Sequence, residues 1–244
     1  MSNEATKRLV EHYASIADSY DAMFVHRGDE HDVALNLISS YLNVLRIKNV
    51  LDVGCGTGGE QKHFLDNHPS IYAIGVDISF ELLKSGVKSQ VPQNRIVCSD
   101  TAHLPLKDDS VDAVVSLGLL HHVPDPNHVV AEMMRVASKA VFISDNNRYG
   151  IGSILKRLTK LGLYKLLRMG KLVDYIRTRG KMYMYSEGSE GVFYSYGVFD
   201  SIAILRRTAK KVLTIPTKRI GDLSTVSILK CSHFLICAFK EVIS

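Results

Sequence analysis

Residues 50–59 read Val-Leu-Asp-Val-Gly-Cys-Gly-Thr-Gly-Gly, an apolar run that passes directly into a glycine-rich turn. No other stretch restricts the fold as much. A buried strand that ends in such a turn and opens a helix is the nucleotide-binding entry of an α/β sheet, with backbone N–H groups facing the ligand. Gly54, Gly56 and Gly59 satisfy the spacing Gly-x-Gly-x-x-Gly, and Asp77 stands where a ribose-binding acid is expected. On the glycines alone the loop suits a dinucleotide. Asp52 argues otherwise, because a pyrophosphate at a helix N-terminus wants positive potential, not a carboxylate two residues before the first glycine. An acid there attracts a cation. The loop reads as a site for a nucleoside that carries positive charge and no phosphate.

The pattern downstream extends this entry into a sheet. Short apolar runs at 49–53, 71–76, 95–98, 111–117 and 140–144 read as five strands, with helices between them. Ser79 and the pair Asp125-Pro126 supply helix starts. Upstream, 4–20 and 31–45 carry helical periodicity. Strands alternating with helices predict an α/β fold with a doubly wound, Rossmann-like, mostly parallel sheet. Its ligands belong at the carboxyl ends of the strands, where Asp52, Asp77 and Asp100 all fall. After Asp145 the rhythm changes. Leucines at helical spacing slip phase at Gly162, and 181–196 reads as a tyrosine-rich hairpin around a Ser-Glu-Gly-Ser-Glu-Gly turn. A helix at 199–211 and strands at 212–216 and 234–239 resume the sheet. The expected organisation is one domain over 1–244, with a helical cap at 1–47 and a lid-like insertion at 148–198.

With 244 residues and 46% hydrophobic composition, one sizeable core is available. No apolar run opens the sequence and none approaches a membrane span. Cys55, Cys98, Cys231 and Cys237 lack metal-ligand spacing and read as thiols of a reducing, cytoplasmic compartment; no metal is expected. The net charge of +5 conceals an asymmetry. Residues 148–181 contribute +9, with Asp174 their only acid, and leave −4 for the remainder. Three readings of that segment stay open: a solvated face, a peripheral contact with an anionic membrane, and a lid that draws in an anionic acceptor. Nucleic acid is disfavoured, because the aromatic residues follow the basic ones and do not interleave with them.

The ordered motifs Val50-Leu-Asp-Val-Gly-Cys-Gly-Thr-Gly, Gly75-Val-Asp-Ile-Ser, Asp100-Thr-Ala-His-Leu-Pro-Leu, Asp109-Ser-Val-Asp-Ala-Val-Val-Ser and Leu120-His-His-Val-Pro-Asp resemble the class I S-adenosylmethionine-dependent methyltransferases. The branch most similar contains the ubiquinone/menaquinone-biosynthesis enzymes and many sugar and natural-product methyltransferases. The resemblance covers about 13–145, and more loosely 199–240. It implies the class I methyltransferase fold, S-adenosylmethionine as donor and S-adenosylhomocysteine as product. It also implies that Asp52, Gly54, Cys55, Gly56 and Gly58 line the methionine half, with Leu117 flanking it. Asp77 would take the ribose, Ile78 the adenine face, and Asp100 the adenine amino group beside Thr101 and Ala102. Tyr13 or Tyr20 would cover the cofactor. Where the family usually has Leu-Lys-Pro-Gly-Gly, Arg135-Val136 is followed here by Ala137-Ser138-Lys139, a change remote from the cofactor.

Methyl transfer from a sulfonium needs alignment and dryness more than a protein nucleophile. A base is needed only for a hydroxyl or a protonated amine. His121 and His122 are the candidates, against the fact that similar sequences carry a His-His or Leu-His pair here while acting on very different acceptors. His12, His26, His31, His63, His68, His103 and His128 read as surface residues, and Cys55 as a small side chain between glycines. Tyr183, Tyr185, Tyr194 and Tyr196 either form the insertion's own core or shape an acceptor pocket. The expected function is methylation of a small-molecule or lipid-linked acceptor, anionic on the third reading of the basic segment, through a hydroxyl of a glycan precursor or natural product. The alternatives are a quinone or lipid methyltransferase at the membrane surface, a non-catalytic cofactor-binding module, and a nicotinamide oxidoreductase, which Asp52 and Asp100 disfavour. The oligomeric state has no signature in the sequence.

Overall fold

The computed structural model describes residues 2–24, 28–186, 191–219 and 228–241. In chain order the strands are β1 (Asn49–Val53), β2 (Tyr72–Asp77), β3 (Ile96–Cys98), β4 (Val111–Leu117), β5 (Ala137–Asn146), β6 (Tyr183–Ser186), β7 (Gly191–Tyr194), β8 (Lys211–Arg219) and β9 (Cys231–Phe239). The main sheet runs β3-β2-β1-β4-β5-β9-β8. Its first five strands are parallel, and β9 pairs antiparallel with both β5 and β8. This is the expected doubly wound, mostly parallel sheet.

The helices are α1 (Ser2–Ile16), α2 (Tyr20–Phe24), α3 (Glu30–Val44), α4 (Gly59–Asn67), α5 (Phe80–Lys88), α6 (Pro126–Val136), α7 (Ile154–Lys160), α8 (Gly170–Arg177) and α9 (Ile202–Leu205). Three start where short polar side chains replace the missing backbone acceptors. Asp29 accepts from the N–H groups of His31 and Asp32, Ser79 from Leu82, and Asp125 from His128 with Pro126 in the first turn. Strand alternation divides the core between the two faces. Leu51, Val53, Val114, Val141 and Ile143 pack with Val129, Val130 and Met133 of α6 on one face. Val50, Ala113, Val115 and Phe142 pack with Leu35, Ile38 and Leu42 of α3 on the other. Burial on both faces explains why these strands read as unbroken apolar runs.

Four expectations are corrected in detail. The first helix ends at Ile16 and, after a turn, restarts at Tyr20, where α2 docks on the glycine loop through Thr57 Oγ1, which donates to Asp21 at 2.6 Å. β5 is longer than 140–144, because β9 pairs along it as far as Asn146. The phase slip at Gly162 is a π-helical segment, Leu161–Leu166, whose wider turn shifts the apolar stripe. The helix expected over 199–211 shrinks to a 3₁₀ turn and α9, since Lys210 already donates to Phe239 at the start of the β8 pairing.

The hairpin forms as β6 and β7, with Tyr183 opposite Tyr194; its turn at 187–190 lies outside the described residues. Ala5 and Leu9 of α1 pack on Val192 of β7, so the N-terminal helix and the hairpin share one small core. Among the described residues, no helix is long and apolar enough to cross a membrane.

Candidate functional site: a glycine loop, three acids and two adjoining clefts

The N–H groups of Gly54 and Cys55 both donate to the Val76 carbonyl, at 2.8 and 3.1 Å, which folds the loop against β2. Gly54, Gly56 and Gly58 hold φ of +82°, +53° and +81°, a region that L side chains rarely adopt. A side chain at Gly54 would strike Leu119, which leaves β4 and lies on the loop. Cys55 packs downwards: a Cβ at Gly75 would stand 2.6 Å from its sulfur. Burial pushes that thiol up, so it is a neutral packing group, as its place between glycines suggested.

Asp77 is buried and receives two backbone N–H groups, Gly56 at 2.9 Å and Ser79 at 2.7 Å. It joins the loop to the start of α5. Asp52 is 1% exposed and accepts from Gln61 Nε2 at 3.0 Å. Its other neighbour is Glu60, a residue that sequence reasoning passed over because it stands just beyond the glycines. Burial first, and then the Glu60 carboxyl, raise Asp52 well above the ordinary carboxylate range; burial raises Glu60 as well. Both carboxyls are thereby shifted toward their protonated forms. The buried Gln61 Oε1 lacks any partner among the described residues. Two carboxyls that resist ionisation and an orphaned acceptor fit a cationic ligand carrying N–H donors.

A cleft of about 440 Å³ runs from Asp77 and Ile78 past Asp100, Thr101 and Ala102 to Leu119 and His122. Asp100 is exposed and accepts from Ala102 N at 2.9 Å. The Tyr20 ring lies over the loop, 3.6 Å from where a Gly56 Cβ would stand, and packs edge-on against Tyr13. Leu117 is absent from this wall. It packs on the α3 side of the sheet, and Leu119, two residues on, lies against Gly54 and lines the cleft.

The two histidines differ. His122 is buried, its Nδ1 donating to the Val192 carbonyl at 2.6 Å and its Nε2 meeting the Tyr13 hydroxyl at 3.1 Å. Both ring nitrogens thus tie the strand end to β7 and α1. His121 points Nδ1 at Asp145 Oδ1, 2.8 Å away. Asp145 is 1% exposed, and its Oδ2 accepts from Leu120 N at 3.0 Å. Burial alone would raise Asp145; His121 and the Asn146 N–H outweigh it and hold the carboxyl low. An ionised acid fixing Nδ1–H leaves Nε2 as the basic nitrogen. Asp145 was not singled out in the sequence, because nothing in its neighbourhood announces a contact to residue 121. His12 and His31 depart from the surface reading. His12 is buried, and burial lowers His31, whose Nδ1 lies 3.3 Å from Ser144 Oγ. His26 lies outside the described residues.

A larger cavity, about 740 Å³, meets the first cleft at Pro124 and Asp125. Tyr183, Tyr194 and Tyr196 line it together with Tyr164, Arg168 and Lys181. Tyr185 does not; it is 45% exposed and packs edge-on against His12. Burial pushes the Tyr194 hydroxyl up to about 12, and burial followed by the charge of Asp145 raises Tyr196. These phenols are neutral hydrogen-bonding groups, and Tyr196 already bonds Ser201 Oγ at 2.8 Å. Arg148 pairs with Asp200 and stacks on Tyr164 at the cavity wall.

Residues 51–143 match the family model described as a methyltransferase domain. The tRNA (carboxymethyluridine(34)-5-O)-methyltransferase of Arabidopsis thaliana is 31% identical over 128 residues, 51% of this chain and 30% of that protein. The demethylmenaquinone methyltransferase of Renibacterium salmoninarum is 37% identical over 90 residues, 36% of each. The chain thus spans well under two thirds of these relatives. A solved structure from Thermotoga maritima, described as a SAM-dependent methyltransferase and possible histamine N-methyltransferase, superposes with a TM-score of 0.61 at 18% identity, covering 95% of this chain and 99% of that one. The fold is shared throughout. Residues 51–143 are thus similar in sequence to methyltransferase domains, and the fold around them is that of solved S-adenosylmethionine-dependent methyltransferases.

Proposed function

We propose that this chain transfers a methyl group from S-adenosylmethionine to a hydroxyl of a small or lipid-linked acceptor, a glycan precursor or natural product, seated in the larger cavity. When bound, the cofactor supplies a methyl group on a positively charged sulfur, already activated toward displacement. Asp52 and Glu60 would meet its charge, Asp77 its ribose, and Tyr20 would shield the loop from water. The chain's remaining task is to align the acceptor and receive its proton.

The single observation that carries the hydroxyl reading is the His121–Asp145 dyad. The dyad joins the turn after β4 to the end of β5; His121 itself lines neither cleft, and its neighbour His122 lines the smaller one. With Nδ1–H held by the carboxylate, His121 would take the acceptor proton at Nε2. The tyrosines offer flat faces and neutral hydroxyls to a sugar or an aromatic ring. The lipid-linked form of that acceptor is favoured by the exposed Leu155, Leu166 and Leu172, which belong to the same segment as the cavity-lining Tyr164 and Asp174.

The experiment is transfer of labelled methyl to a panel of nucleotide-linked sugars, polyprenyl-phosphate-linked glycans, demethylated quinones and tRNA. Incorporation into a sugar or lipid-linked hydroxyl, abolished by His121→Ala, supports the reading. Incorporation into tRNA alone would overturn it.

A further inference from the structure

Among the described residues, seventeen large apolar side chains are exposed, and ten of them fall between Ile151 and Ile176. Leu155 is 73% exposed, Leu166 84% and Ile176 68%. They are not scattered. Ile154, Leu155 and Leu158 share one face of α7, while Leu172, Tyr175 and Ile176 share one face of α8. A water-soluble surface rarely gathers apolar side chains this densely.

The charges around them have one sign. Lys156, Lys165, Arg168, Lys171, Arg177 and Arg179 are all exposed. The segment's only acid, Asp174, is turned inward, accepting from Tyr164 Oη at 2.5 Å with Arg177 at 3.3 Å. Within 148–181 no other acid is present to offset the positive charge. The inner side of the same segment, through Tyr164, Gly170 and Asp174, walls the larger cavity. One element therefore carries an apolar, basic exterior and a ligand-sized interior.

We propose that residues 151–179 form a docking surface for an anionic phospholipid bilayer, with the leucines entering the interface and the lysines and arginines meeting the head groups. Charge complementarity selects this occupant. A second copy of the chain would bring two positive faces together, and a neutral apolar partner would leave the basic rim unanswered. The docking extends the lipid-linked reading of the acceptor, since it brings the cavity wall against the lipid, yet it is measured without any acceptor.

The test is co-sedimentation of the full chain with vesicles of phosphatidylcholine alone and of equal parts phosphatidylcholine and phosphatidylglycerol. Binding to the anionic vesicles, weakened by salt and absent from the neutral ones, is expected. The triple variant Lys156→Glu, Lys165→Glu, Arg179→Glu avoids the cavity and should lose roughly a hundredfold or more in partition. Leu155→Asn with Leu166→Asn should also release the protein. Each variant is checked for unchanged Tm and unchanged S-adenosylhomocysteine affinity, so that misfolding and failure of the methyltransferase reading are both seen separately. Wild-type protein that stays in the supernatant at low salt overturns the proposal. So does a wild-type dimer that the leucine variants turn monomeric while vesicle binding is unaltered.

Discussion

Replacing Asp52 by Asn keeps the shape of the side chain and the contact to Gln61 Nε2, but removes the charge. A carboxylate and a cation about 4 Å apart interact by roughly 4 kcal/mol at an effective dielectric near 20. Removing one member of a desolvated charge pair costs about 2–5 kcal/mol. Part of this is offset in the wild type, because burial already disfavours the ionised form of both Asp52 and Glu60. The expected loss of S-adenosylmethionine affinity is therefore about 10- to 1000-fold.

Stability should move the other way. In the unfolded chain Asp52 ionises near 3.9, the usual value for Asp; in the folded protein it does so only at higher pH. The folded state binds more protons between those limits, so its stability falls as pH rises through that window. Asn carries no such proton, and the variant's Tm should vary less over the window and exceed the wild type's above it. Calorimetric titration in phosphate and in Tris counts protons released on binding. The wild type should release a proton where the pair is still protonated, and the variant fewer. Equal affinity and equal proton release in the two proteins would refute the reasoning.

His121→Ala should lower kcat by about 10²–10⁴-fold with cofactor affinity unchanged, and Asp145→Asn should act alike, whereas retained kcat would make the dyad structural. His122→Gln, at a position bonded to Val192 and Tyr13, should lower Tm more than kcat, which thermal melts alongside rate measurements would resolve. Gly75→Ala sets a methyl against the Cys55 sulfur and should cost roughly 1–3 kcal/mol in urea denaturation, with partial recovery in the double variant with Cys55→Gly. Tyr183→Ala with Tyr194→Ala should raise the acceptor KM and leave S-adenosylmethionine affinity unaltered, since both line the larger cavity and neither lines the cofactor cleft.

The sheet was readable because its central parallel strands are buried on both faces over continuous apolar stretches, 113–115 within Val111–Leu117 and 140–143 within Ala137–Asn146. The glycine loop was readable because its left-handed turns admit little else. Contacts made by distant parts of the chain were not. Glu60 matters through its neighbour across the loop, Asp145 through a partner 24 positions away, and Leu119 through the exit angle of β4. Short-range pattern also overstated the helix at 199–211, where pairing of β8 with β9 takes the chain. Tyr185 shows the same limit. Alternation puts it on one face with Tyr183, but His12 of α1 draws it away from the cavity.

The central claim is that three acids around a glycine loop select a cationic nucleoside over a dinucleotide. Titrating the protein with S-adenosylmethionine, S-adenosylhomocysteine and NAD in one calorimetric series tests it most directly. The account predicts saturable binding of the first two, weakened together by Asp52→Asn, and no heat of binding with NAD. Saturable binding of NAD alone would contradict it.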